Sequence, residues 1–218
     1  MTREELLVQL AARVLVLPDD RPQRVAVDGM SCVGKSTLAA ELTEVLEGAG
    51  RPVVRVAYDD FHHPRSVRHR QDRFSAEGYL DDSFDAGSLR RLVLDPLAAG
   101  ERSVRPASFD LAEDVPVEVE PVLVPDNAIV LVDGSFLLAL EPGSWDLGVL
   151  LIADPAAVIA RALVRDGELG SPEQIRELYL RRYLGAWSLH EERHDPWSRA
   201  QVVVDLTDPL SPQLLAGG

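Results

Sequence analysis

The sequence predicts an α/β fold, a mainly parallel sheet covered by helices on both faces in a three-layer α/β/α arrangement. Two observations carry this expectation. Short apolar runs alternate along the chain with stretches of helical periodicity, and the runs are continuous, as strands buried on both faces require. One such run, Val25-Ala26-Val27, leads through Asp28 into Gly29-Met30-Ser31-Cys32-Val33-Gly34-Lys35-Ser36 and a helix opening at Thr37-Leu38-Ala39. The segment matches G-x-x-x-x-G-K-[ST], and strand, glycine loop and helix in that order is the setting of a P-loop.

Taken in order, the elements support that class. Thr2 caps a first helix over about 3–17, where Leu6, Leu7, Leu10, Val14 and Leu17 recur at helical spacing. Pro18 and Pro22 break it. A strand over 24–28 and the loop–helix unit over 35–48 follow, the helix ending at Gly48-Ala49-Gly50. Residues 52–57 read as a second strand, ending at Tyr58-Asp59-Asp60-Phe61. The segment 62–83 is polar, rich in Arg and His and without strong periodicity, the character of a lid or binding loop. A helix is expected over 85–99, and proline-bearing pieces over 103–109 and 115–124 read as edge strands or a hairpin. Residues 129–133 form the clearest buried strand, 148–152 another, and 201–205 the last; helices are expected over 155–166 and 172–189. Trp145, Trp187 and Trp197 read as packing residues.

At 218 residues the chain suits one domain, and 46% hydrophobic with 27% charged residues is an ordinary globular balance. No apolar run approaches the ~20 residues of a membrane span. Thr2–Leu7 is charged and amphipathic, unlike a signal peptide, so the expected compartment is the cytoplasm. A net charge of −14 argues against nucleic acid or an anionic membrane as partner, and means that a nucleotide site must gather its own cations. Cys32 is the sole cysteine, so neither an internal disulfide nor a thiolate zinc site is expected.

The motifs point to phosphate chemistry. Gly29 and Gly34 let the backbone curl with its N–H groups inward, and the helix N-terminus adds partial positive charge. Ser31, Cys32, Val33 and Thr37 complete the expected nucleotide cradle. Lys35 can reach the terminal phosphates of a nucleoside triphosphate, and the Ser36 hydroxyl can ligate Mg²⁺. The apolar run 129–132 ending in Asp133-Gly134 has Walker B form, which makes Asp133 a second candidate for holding Mg²⁺. Asp59, at the end of the second strand, is placed to accept a proton from an acceptor hydroxyl; adjacent aspartates are also ordinary loop chemistry. Arg161 and Arg165 lie four apart on one helix face and could fold over the phosphates, or form a solvated, salt-bridged face. His62, His63 and His69 lack metal-site spacing and read as lid or pocket residues. N-K-x-D, the guanine-reading element, is absent.

Across about residues 24–209 the chain resembles the uridine kinase/phosphoribulokinase/pantothenate kinase group of P-loop kinases, in particular uridine kinase-like bacterial proteins. The resemblance rests on the ordered segments Val25–Gly29 with the P-loop, Asp59-Asp60-Phe61-His62, Glu77-Gly78-Tyr79, Ser83-Phe84-Asp85 and Ser108-Phe109-Asp110. It continues through Val132-Asp133-Gly134, Arg161 to Asp166, Arg182-Tyr183 and Ala200–Asp205. It implies ATP and Mg²⁺ as cofactors, Asp59 as general base, and Asp133 where a Mg²⁺-linked acid sits. It further implies Arg161 and Arg165 in a lid at 161–172, and an acceptor region within 62–125 to which Phe61, His62, Tyr79, Phe84 and Phe109 contribute. Tyr79 stands where uridine kinases have an acidic residue, Phe109 replaces a Tyr, and Asp114 falls near where a His would contact the base. After Asp166 the further lid arginines are missing. The phosphate machinery therefore carries over, while the uridine-reading pocket does not. The expectation is a kinase transferring the γ-phosphoryl group of ATP to a small-molecule hydroxyl, most like a uridine or nucleoside kinase. A kinase for another small alcohol, a nucleotide-binding regulatory protein without transferase activity and a chaperone-like NTPase acting on proteins are the alternatives. A homo-oligomer stays open.

Overall fold

A computed structural model describes residues 1–216. Its ten strands are β1 (Gln23–Gly29), β2 (Val53–Ala57), β3 (Ser103–Val104), β4 (Phe109–Asp110), β5 (Val115–Pro116), β6 (Val122–Leu123), β7 (Ile129–Gly134), β8 (Leu147–Ile152), β9 (Val202–Asp205) and β10 (Gln213–Ala216). Six form one sheet in the order β10-β9-β8-β1-β7-β2. All its pairings are parallel except that of β10 with β9. The predicted mainly parallel α/β sheet is therefore present, with an antiparallel edge strand at 213–216 that the sequence reading lacks.

The central strands are apolar because they are covered on both faces. Every residue of β7 is buried, as are nearly all those of β1 and β8. The helix Arg3–Leu15, closed by a capping box between Thr2 and Glu5, packs on the helix Lys35–Gly48. Leu6, Leu10, Leu38, Leu42 and Leu46 are almost wholly buried, each burial favouring the fold by about 1.5–3 kcal/mol.

The middle of the chain departs from expectation. Of the two expectations for 103–124 the hairpin holds and the main-sheet edge does not: β4 pairs antiparallel with β5, and β3 with β6, in two separate two-stranded ladders. Segment 62–83 contains short helices at Arg65–Arg68 and Ala76–Asp82, too brief to show a periodicity. The helices expected over 85–99 and 172–189 each contain a π turn, Arg90–Leu94 and Tyr179–Tyr183, and the second runs on through Leu184–His194. Trp187 is buried and Trp145 half-buried, but Trp197 is 40% exposed, so it is not a core residue. Its indole N–H donates to Glu191 at the surface. Among the described residues no helix is long and apolar enough to cross a membrane.

Candidate active site

Sheet register brings the carboxyl ends of three strands level. Asp133 pairs with Val27 of β1 on one side and with Ala57 of β2 on the other. Ligands of open α/β sheets sit at such ends, beside a switch in strand order. That switch falls at β1, whose chain crosses over β7 to reach β2, while β8 and β9 lie on its other flank.

The loop after β1 is built to hold an anion. Gly34 takes φ +112° as the residue before the helix, and a Cβ there would meet only Leu206 at 3.5 Å, so the demand for glycine is conformational. No side chain caps that helix and no acid stands in its first turn, which leaves its N-terminal N–H groups for a ligand. Lys35 Nζ donates to Met30 O at 2.9 Å and to Ser135 Oγ at 3.1 Å. Burial lowers the ammonium's pKa, opposed by the charges of Asp59, Asp28 and Asp133.

Ser36 Oγ donates to Asp133 Oδ2 at 2.6 Å, and Arg55 donates to the other oxygen, Oδ1, at 2.9 Å. A hydroxyl and a carboxylate oxygen thus converge beside the phosphate cradle. These hard oxygen donors suit Mg²⁺, which takes one or two protein oxygens and fills its shell with phosphate and water. Among the described residues no group of three or more His, Cys, Asp or Glu is arranged to hold a metal, and a Mg²⁺ bound chiefly by phosphates needs none.

Asp59 lies in the turn Tyr58–Phe61 and lines the same cleft, of about 940 Å³, as Lys35, Ser36 and Asp133. The turn packs tightly on the end of β7: a Cβ on Gly134 would stand 2.3 Å from Tyr58 Cβ. His62 Nδ1 lies 2.9 Å from the Asp59 carbonyl, which can only accept, so Nδ1 carries the proton. Burial lowers the His62 pKa against the pull of Asp59.

The lid arginines have different surroundings. Arg161 donates to Val33 O at 3.3 Å, Thr207 O at 3.0 Å and Leu206 O, so it is tied to backbone at the loop's flank. Arg165 pairs with Asp166 (Nε to Oδ1, 2.7 Å) and reaches the Tyr179 hydroxyl at 2.8 Å and Ser31 at 3.5 Å. The hydrogen bond with Asp166 raises its pKa against the cost of burial, so it stays charged.

The cleft therefore unites Ser31, Cys32, Gly34, Lys35, Ser36 and Thr37 with Asp59, His62, Tyr79, Asp133, Arg161 and Arg165. Gly29 and the buried Val33 shape the loop from behind. Phe61, Phe84 and Phe109 are buried and do not line the cleft; Phe84 stacks on Tyr58 at 4.6 Å and supports His62 at 4.3 Å. These three apolar side chains go to the core because burying them is worth more than facing an open polar cleft.

Three residues that shape the candidate site escaped sequence reasoning. Asp28, fully buried, accepts from the N–H groups of Gly29, Phe136 and Leu138 at 2.6–2.8 Å and pins the turn after β7. An aspartate closing an apolar strand was its visible signal. Ser135 accepts from Lys35 and donates to Gly29 O at 2.9 Å. Tyr179 enters through the π turn, a feature common at functional sites that a 3.6-residue period does not reveal.

No family model and no characterised protein's sequence matches the chain, so the comparison rests on shape. A structure described as a possible uridine kinase from Bacillus stearothermophilus matches with TM-score 0.71 and 21% identity, over 92% of this chain and 97% of its own. A candidate fructose transport system kinase from Silicibacter sp. matches with TM-score 0.70 and 24% identity, over 88% and 95%. D-glycerate 3-kinase from Cryptococcus neoformans matches with TM-score 0.62 and 13% identity, over 96% of both chains. This is the P-loop kinase fold. Within that fold the chain is similar to uridine kinase-like proteins, as its motifs suggested, and the likeness covers both the P-loop half and the segments that follow β2.

Proposed function

We propose that this chain transfers the γ-phosphoryl group of ATP, bound with Mg²⁺, to a hydroxyl on a small molecule. The observation that carries the reading is the presence in one cleft of the P-loop cradle and, beyond it, the Asp59 carboxylate. Nucleotide binding alone requires no such carboxylate.

In this reading the loop N–H groups and Lys35 hold the phosphates. Ser36 and Asp133 hold Mg²⁺, which when bound offsets charge on the phosphate oxygens. Asp59 accepts the proton of the attacking hydroxyl, and Arg165, kept charged by Asp166, faces the transferring group. Arg161 secures the flank of the loop. Segment 62–125 supplies the acceptor side and 161–172 the lid, within a single domain.

The resemblance favours a nucleoside acceptor. The cleft favours a wider class of alcohols, because Phe61, Phe84 and Phe109 do not offer it their rings. No macromolecular partner is invoked; a cytoplasmic enzyme acting on a metabolite fits the acidic surface.

The test is acceptor-dependent ADP release in a coupled assay, with wild type and Asp59→Asn. Transfer should fall by about 10²–10⁴ in the variant, while calorimetry with Mg·ATP shows binding preserved. ADP release at background for every alcohol offered would overturn the reading.

A further inference from the structure

Besides Arg161 and Arg165, the cleft is lined by a second set of cations from segment 65–73 and the π turn: Arg65, Arg68, Arg73 and Arg182. Arg182 is 6% exposed, yet its guanidinium meets only backbone carbonyls, those of Arg73, Ser75 and Arg68, at 3.3–3.4 Å. It also lies over the Tyr79 ring, 5.2 Å from the centroid. Hydrogen bonds of that length are weak for a charged donor, and a buried guanidinium ordinarily meets a carboxylate. Among the described residues none forms an ion pair with Arg182, Arg65 or Arg73; Asp72 acts on Arg182 only from beyond ion-pair reach.

Arg68 is differently placed. Asp114 accepts from it at 2.7 Å and from the Arg65 backbone N–H at 2.8 Å, which fixes this turn and neutralises one cation. His69 lines the cleft beside these arginines, and burial and then the charges of Arg182, Arg68 and Arg65 lower its pKa. Of the carboxylates lining the cleft, Asp133 is taken by Ser36 and Arg55, and Asp59 is the proposed base. A chain with net charge −14 thus keeps a surplus of positive charge among these cleft arginines. The nucleotide does not account for it, since Arg161 and Arg165 stand on the β8–β9 flank, bound to Leu206, Thr207 and Asp166.

We propose that the acceptor is an anion, a small alcohol bearing a phosphate or carboxylate group, gripped by Arg182 with Arg65 and Arg73 while its hydroxyl faces Asp59. The inference rests on the phosphotransfer reading and narrows its acceptor. A guanidinium fork matches the paired oxygens of either anion, and anchoring the acceptor at its charged end fixes the hydroxyl in line with the γ-phosphorus. A neutral nucleoside would leave the buried Arg182 without a counter-charge.

The test measures ADP release with Mg·ATP for matched sets: sugar phosphates, hydroxy acids, and their neutral counterparts, including free sugars, polyols and nucleosides. Release above background is expected with one anionic set, and the responding set identifies the group. With that acceptor, Arg182→Gln should raise KM roughly ten- to a hundred-fold, with Arg182→Lys recovering part of the loss. Arg73→Gln, on an exposed side chain whose only recorded side-chain contact among the described residues is over the Phe74 ring, should raise KM in the same direction, and the KM for ATP should stay within about twofold in each variant. Turnover of a neutral alcohol at least as fast as of its anionic counterpart overturns the proposal and leaves phosphotransfer standing. So does an unchanged acceptor KM in both the Arg182→Gln and Arg73→Gln variants. Binding of Mg·ATP by calorimetry with no release for any set overturns phosphotransfer itself, and this inference with it.

Discussion

The Tyr179 hydroxyl donates to Asp166 Oδ2 at 2.6 Å and accepts from Arg165 at 2.8 Å, which ties the π turn to the lid across the mouth of the phosphate loop. The same hydroxyl lies 3.2 Å from Cys32 Sγ. One phenol thus sets where the lid arginine stands relative to the loop.

Removing that hydroxyl should loosen the lid without emptying the core. Tyr179→Phe keeps the buried ring and loses hydrogen bonds to two charged groups, an effect of about 1.5–3 kcal/mol on Arg165 placement. The expected outcome is a fall in kcat of roughly tenfold or more with the fold intact, checked by steady-state kinetics beside far-UV circular dichroism.

Lys35, the proposed phosphate contact, also joins Met30 of the loop to Ser135 after β7. Lys35→Ala should lower kcat by about 10²–10³, the scale of losing one preorganised electrostatic contact. Single-turnover rates with saturating Mg·ATP provide the measurement, and wild-type rates would contradict the role.

Gly134 is required by proximity, with Tyr58 Cβ 2.3 Å from the position a new Cβ would take. Gly134→Ala should cost about 1–3 kcal/mol from overpacking, lowering Tm by several degrees in a chain of this size. Because the displaced turn carries Asp59, transfer should fall further than stability alone explains; melting curves and kcat on one preparation decide it.

Stability should weaken in acid partly through Asp146. Its half-buried carboxyl would be raised by desolvation, but hydrogen bonds from Arg21 and Arg24 outweigh that and hold it below its ordinary 3.8. A depressed folded-state pKa means the unfolded chain binds more protons as pH falls past 3.8, so this stabilisation is complete above that value and lost through the folded pKa. Wild type should lose Tm more steeply than Asp146→Asn between about pH 5 and pH 2, in a pH series of thermal melts.

The site was legible where chemistry is local in the chain. Gly29 to Thr37 form one uninterrupted segment, which the structure folds as a loop closing on a helix N-terminus, so the place of the candidate site could be read locally. The same holds for Asp133, at the end of a run too apolar to be anything but a buried strand. Asp59 was legible as a strand end, although its position beside the loop depended on β2 lying next to β7. The acceptor side was not legible. Phe61, Phe84 and Phe109 look like pocket residues in sequence and are core residues in space, because nothing local tells which face of a turn is covered.

The sequence by itself determined the layered α/β plan and the phosphate cradle, since hydrophobic periodicity and a glycine-specific backbone are properties of neighbouring residues. Only the tertiary structure decided which cations meet in the cleft. It gave Arg161 and Arg165 different hydrogen-bond partners from Arg182, set Tyr179 between loop and lid, and left Arg182 buried without a carboxylate. Such groupings arise from residues more than a hundred positions apart brought together by sheet order and a π turn, and no local pattern records them.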